Sequence, residues 1–206
     1  MKKKRLVALV VLTGFFILGG ILGGECEVST KSWQAFEFRG DERFEYRVSW
    51  EMGEEEKEAI YILDIRKSDE RTAEGEAIFD VSYTTKGKLR KEDLGPEAAF
   101  GLWSIYGVSL NILVLNPAYG FFFSQVDMKV GEKISFYGAG AVKIPGKETI
   151  AGRDGFVCQF LQTVDEKEEL VAEWVIDPGI ALPLRSRVFE EGELLSQIEL
   201  IRYNRY

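Results

Sequence analysis

Apolar and polar side chains alternate at every step across residues 43–52. Phe44, Tyr46, Val48, Trp50 and Met52 share one parity, and Arg43, Glu45, Arg47, Ser49 and Glu51 the other. Period-two patterning of this kind marks a strand with one buried face. Gly53-Glu54-Glu55-Glu56 is a polar turn, and Ala59, Tyr61, Leu63 and Ile65 then rebuild an apolar face. Ser68-Asp69-Glu70-Arg71 turns again before Ala77, Phe79, Val81 and Tyr83 supply a third. Three strands joined by short polar loops predict an antiparallel meander.

The alternation stops at residues 98–126, twenty-nine consecutive positions without a charged side chain in a chain where 29% of residues are charged. That run is either buried whole or in contact with lipid or an apolar ligand. Asp93 is a suitable N-cap, Pro96 and Glu97 suit a first helical turn, and Asn116-Pro117 ends the segment. The reading is one apolar helix over residues 96–117, weakened by Gly101 and Gly107. A second membrane span over residues 98–115 would separate the first three strands from the rest, leaving their edges open and one apolar face uncovered. A helix lying on a single sheet satisfies more constraints.

Strand patterns return at residues 119–126, 133–137, 142–144, 148–150, 156–164, 170–176, 184–189 and 194–203, with Pro145-Gly146-Lys147 as a hairpin turn. The expected fold class is therefore α+β: a strongly curved antiparallel sheet of about nine strands, an incomplete barrel, packed around one apolar helix and preceded by an N-terminal membrane segment. Residues 1–24 are the signal sequence or anchor, 25–35 a short tether, and 36–206 one β-rich domain.

The anchor reading rests on Lys2, Lys3, Lys4 and Arg5 before nineteen uncharged, mostly apolar residues, 6–24. As a helix that stretch reaches roughly 28 Å, close to the hydrocarbon thickness of a bilayer. Positive charge stays inside, so the domain belongs on the external side of the cell membrane. A plain anchor, lipidation at Cys26 and complete cleavage, which would release a secreted domain, all remain open and share that exposure. Cys158 is the second of two cysteines. An external compartment permits a bridge to Cys26, but Phe156 and Phe160 around it favour a lone buried thiol.

The chain carries −8, of which the basic stub contributes +4, so everything from Glu25 onward carries −12. An acidic domain repels phosphate backbones, which excludes nucleic acid as a partner. There is no histidine, and with it go Ser-His-Asp catalysis and histidine metal sites. Scarce Asn and Gln beside abundant Glu, Lys and Arg suit a protein from a hot environment, a thermophile.

Residues 147–160, 173–187 and 193–200 form a strand-turn-strand, a tryptophan strand ending in Asp177-Pro178, a Leu182-Pro-Leu-Arg185 strand and a last strand rising from a polar turn. This succession resembles the LolA/LolB-like lipoprotein-carrier superfamily and related secreted envelope proteins. The resemblance implies a curved antiparallel sheet lidded by helices over an apolar cavity that takes acyl chains. This chain departs in having one uncharged run where the family has several amphipathic helices.

An apolar cavity would be lined by Trp50, Leu63, Phe79, Leu102, Trp103, Ile105, Tyr106, Leu113 and Trp174. The same residues serve equally as packed core. Asp64 and Asp80 could pair for acid–base chemistry, though strand alternation places such residues on the solvent face. Glu54 to Glu56 and Asp165 to Glu169 lack the spacing of a calcium loop. Gly138-Ala-Gly140 lacks the strand-to-helix setting of a phosphate loop. Arg185 and Arg187 could grip an anionic headgroup or pair outward with acids. With no nucleophile, metal or cofactor signature, the expected function is non-catalytic. It is a membrane-tethered binding protein for a lipid or other apolar molecule or, alternatively, an interaction module of an envelope assembly docking an envelope protein.

Overall fold

The computed structural model describes residues 33–35, 37–52, 55–87, 123, 126–136, 140–164 and 167–206. Nine strands follow in chain order: β1 (Glu42–Met52), β2 (Glu55–Arg71), β3 (Ala77–Gly87), β4 (Lys133–Phe136), β5 (Gly140–Ile150), β6 (Arg153–Val164), β7 (Lys167–Ile176), β8 (Arg185–Glu190) and β9 (Glu193–Arg205). They make one open sheet in the order β3-β2-β1-β9-β8-β7-β6-β5-β4. Every neighbouring pair is antiparallel. The first strand pairs with the last, so β9 joins the β1–β3 meander to the run β8 to β4.

The alternation in β1 is expressed directly. Phe44, Tyr46 and Val48 are buried, while Arg43, Glu45 and Arg47 lie on the other face. Register carries that apolar face sideways, with Tyr46 opposite Tyr61 on β2 and Val48 opposite Ile198 on β9.

What covers this face corrects the α+β reading. The described residues form an all-β domain, and the helix expected at 96–117 lies outside them. The cover they provide is irregular chain. The β7–β8 connection, residues 177–184, buries Ile180, Ala181, Leu182 and Leu184 completely or nearly so. Ile180, Leu182 and Leu184 pack with Phe44, Tyr46, Leu63, Ile198 and Leu200 in one cluster. The Tyr46 hydroxyl donates to the Pro183 carbonyl at 2.9 Å, which satisfies a polar group that would otherwise be stranded in the core. A second cluster holds Trp33, Phe123, Val126, Met128, Val142, Ile144, Cys158 and Ile176. Trp33 Nε1 donates to the Ile180 carbonyl at 2.8 Å and ties the two covers together.

Two other expectations need correction. Pro145-Gly146-Lys147 is not a turn: β5 runs through it, with a register shift between Lys143 and Gly146. A bulge is the one place inside a sheet where proline's missing N–H costs little. The turn comes later, at Ala151 (φ 50°) and Gly152 (φ 75°) between the paired Ile150 and Arg153. Positive φ at both central residues matches the twist of a two-residue hairpin. Phe123 and Val126, expected in a strand, stand in the cover over β6 and β7. The remainder of residues 119–126 and the whole of 1–24 lie outside the described residues. Among the described residues no helix is long and apolar enough to cross a membrane.

Candidate functional site

The polar face of β5 to β9 carries a charge cluster built on Arg185. Its guanidinium grips Glu148 of β5 with both ends, at 2.6 and 2.5 Å. It also meets Glu173 of β7 at 3.2 Å and Glu199 of β9 at 3.5 Å. Arg187 reaches Glu173 at 3.4 Å and Gln197 at 2.5 Å, and Gln159 donates to the other Glu173 oxygen at 3.0 Å. β5 and β8 are three strands apart in the sheet, which would be about 14 Å if it were flat. The sheet is therefore curved here. Gly155 permits close approach, since a Cβ there would stand 2.7 Å from Val175 Cγ1 and 2.8 Å from Leu184 Cδ1.

The hydrogen bond from Arg185 holds the Glu148 carboxyl below its ordinary range. Arginine is suited to such a place because its planar fork keeps its charge and satisfies several carboxylates at once. The outward pairing with acids expected for Arg185 and Arg187 is thus present in part. Arg185 meets three acids through its two terminal nitrogens, while its buried Nε has no hydrogen-bond partner among the described residues, and its side chain is only 6% exposed. The two arginines offset two of the three glutamates, and the cluster draws side chains from five strands, β5 to β9.

Glu42 is a second buried charge, and its alternation was legible. It shares the parity of Phe44 and Tyr46, which places a carboxylate on the apolar face. Tyr203 donates to its Oε1 at 2.9 Å, and Arg205 donates to the same oxygen through Nε at 2.9 Å and Nη2 at 2.7 Å. Burial first, and then Glu42, push the Tyr203 hydroxyl up. Asp64 pairs with Arg43 at 2.9 Å and Arg66 at 2.7 Å, and its neighbour on β3 is Ser82. Asp80 stands opposite Arg66, so the two aspartates are not a facing pair. Cys158 is free and buried, and burial pushes its thiol well up, followed by the effect of Glu173.

Three of the apolar residues chosen from the pattern have described side chains. Leu63 is buried in the first cluster, with Phe79 packed against its edge. Trp174 packs against the second cluster, with Phe123 edge-on at 5.4 Å. These three do not converge on one site. Trp50 lies in β1 opposite Lys57 and Ser196, and its side chain is not among those described. Leu102, Trp103, Ile105, Tyr106, Leu113 and Cys26 lie outside the described residues, as do Glu54, Asp165, Glu166, Gly138 and Ala139. Glu168 of the second acidic turn is paired with Lys133 at 2.6 Å.

The open feature is β3. Register sets Val81 beside Ile65, Tyr83 beside Leu63 and Thr85 beside Tyr61, so β3 extends the apolar face by one more strand. Yet Val81 is 60% and Tyr83 71% exposed, while Leu63 and Ile65 are buried. On its outer side β3 has no strand partner among the described residues. Eleven residues of unpaired backbone with an apolar face are a template for another strand. No family model matches the chain, and no curated protein matches it.

Proposed function

We propose that this chain is a non-catalytic interaction module, held at the external face of the cell membrane by residues 1–24, that docks a protein partner by accepting a strand along β3. The single observation that carries this is an outer side of β3 without a strand partner among the described residues, with Val81 and Tyr83 exposed on its apolar face. Strand addition takes affinity from main-chain hydrogen bonds and specificity from alternate side chains. β3 offers both, with apolar groups on one face and Asp80, Ser82, Thr84 and Lys86 on the other.

The second reading, a carrier of acyl chains, draws on the uncharged run 98–126 and on the carrier-family resemblance. Within the described residues the apolar face is occupied by protein: Trp33, Phe44, Tyr46, Ile176, Leu182 and Leu200 are each at most 1% exposed.

Site-specific photocrosslinking of the full chain in native membranes separates the two. A photoreactive side chain at Tyr83 is expected to attach to a strand-length protein segment. The same probe at Val130, which is also exposed, is expected to attach to none. Attachment at position 83 to lipid alone, with saturable uptake of a fluorescent fatty acid, would favour the carrier instead.

A further inference from the structure

Resting on the docking reading above, we infer that the strand β3 accepts is the β3 of a second copy of this chain, antiparallel, about a twofold axis at Tyr83. The inference comes from self-complementarity. In that register Tyr83 faces Tyr83 of the second copy and Val81 faces Thr85, continuing the apolar face. On the opposite face Asp80 meets Lys86 and Ser82 meets Thr84. The symmetry repeats each of those unlike pairs twice, as a twofold interface requires. Both charged residues of the strand thus find an opposite charge, and the pairs between residues 80 and 86 are ones that stabilise sheets: aromatic with aromatic, β-branched with β-branched, hydroxyl with hydroxyl, acid with base; beyond them Phe79 faces Gly87. Asp80 and Lys86 are exposed and form no ion pair among the described residues, so both are available.

Neighbouring registers do worse. An axis at Ser82 sets Lys86 against Ile78 and Asp80 against Thr84. An axis at Val81 sets Asp80 against Ser82 and carries Lys86 past the strand to Glu76. The other edge of the sheet has no such property. β4 is only four residues long and carries Lys133, the short, lysine-bearing form by which sheets discourage edge pairing. β3 is eleven residues long and contains no proline, and its one lysine, Lys86, is matched by Asp80 of the second copy in this register.

The test uses the full chain in membranes, with Val81→p-benzoylphenylalanine as the probe and the attached peptide mapped by mass spectrometry. The expected product is a homodimer linked to residues 83–87 of the second copy. Asp80→Lys alone and Lys86→Asp alone should each lower its yield about fivefold, since each replaces two attractive cross-strand pairs by repulsive ones. The double variant, with both charges exchanged, should restore it. That rescue also shows that the single variants were folded. Attachment to a different protein would overturn the second-copy inference and leave the docking reading standing. Attachment to lipid only would overturn both. A homodimer linked elsewhere, or one indifferent to the charge exchange, would overturn the register.

Discussion

Tyr46 and Tyr83 stand on the same face of the same sheet, separated by the width of β2, and their surroundings are opposite. Tyr46 is fully buried and its hydroxyl is held by the Pro183 carbonyl, whereas Tyr83 is 71% exposed. Nothing in their own strands distinguishes them, since both sit in clean alternation. The difference is the β7–β8 connection. Ile180, Leu182 and Leu184 share a cluster with residues of β1, β2 and β9, and of β3 only Phe79 packs against it. Burial in this domain is therefore set by a piece of irregular chain more than a hundred residues away. The uncovered strand is the one left with something to bind.

The largest expected effect breaks the cover. Leu182 is completely buried, and Leu182→Ala should cost about 2–5 kcal/mol, the transfer of the side chain plus the cavity it leaves. Val81→Ala, on the same sheet face but exposed, should stay within about 0.5 kcal/mol. Chemical unfolding of both variants measures the contrast. Equal, small costs would mean that the connection does not hold the core closed.

Much of this was legible locally and some was not. β1 is predicted at 43–52 and found at Glu42–Met52, because alternation there is uninterrupted and both faces have consistent environments. Pro145-Gly146 misleads because a bulge and a turn share the same residue preferences, and only the pairing partner on β6 separates them. Ile180-Ala181-Leu182 is an apolar stretch following Asp177-Pro178-Gly179, and apolar residues inside a loop are a signal that the loop is buried. The same stretch also continues naturally into β8, which hides that signal. Burial of Arg185 depends on Glu148, Glu173 and Glu199, from three other strands. No local period records such a meeting. The apolar run 98–126 drew the cavity reading to itself, and its two described residues, Phe123 and Val126, are packed in the second cluster.

The contrast between covered and open tyrosines can be sharpened at high pH. Burial pushes the Tyr61 hydroxyl up to about 12, with a further effect of Tyr83, and burial raises Tyr46 as well. For a group whose folded value is raised, the neutral form is the one the fold favours. Its contribution is whole below the ordinary tyrosine value of 10 and is lost as pH rises through 12. Stability should fall across that window by on the order of 2 kcal/mol for Tyr61, from roughly 1.4 kcal/mol per pKa unit. Tyr61→Phe should flatten the fall, and Tyr83→Phe should leave most of it. Unfolding midpoints taken at pH 9, 10.5 and 12 decide it. A fall unchanged by Tyr61→Phe would place the titrating groups elsewhere.

The smallest expected effect compares two glutamates, one beside the covered centre and one at the β4 edge. Glu148 is held low first by its hydrogen bond to Arg185, whose guanidinium is almost wholly buried. Glu168 is held low first by Lys133, at the exposed edge. In both the charged form is favoured by folding, so the contribution is whole above the ordinary glutamate value of 4.5 and is lost as pH falls through the lower folded value. Salt separates them, because half-molar salt screens a solvent-exposed pair within a few ångströms and a sheltered one much less. Glu148→Gln should therefore reduce the acid sensitivity of unfolding in both low and high salt. Glu168→Gln should reduce it in low salt only. The Glu148 contribution is about 1 kcal/mol or less, because that carboxylate is itself 40% exposed. If half-molar salt abolished the Glu148 effect too, the Arg185 cluster would be behaving as an open surface pair, and the curvature that brings β5 over β8 would be sheltering nothing.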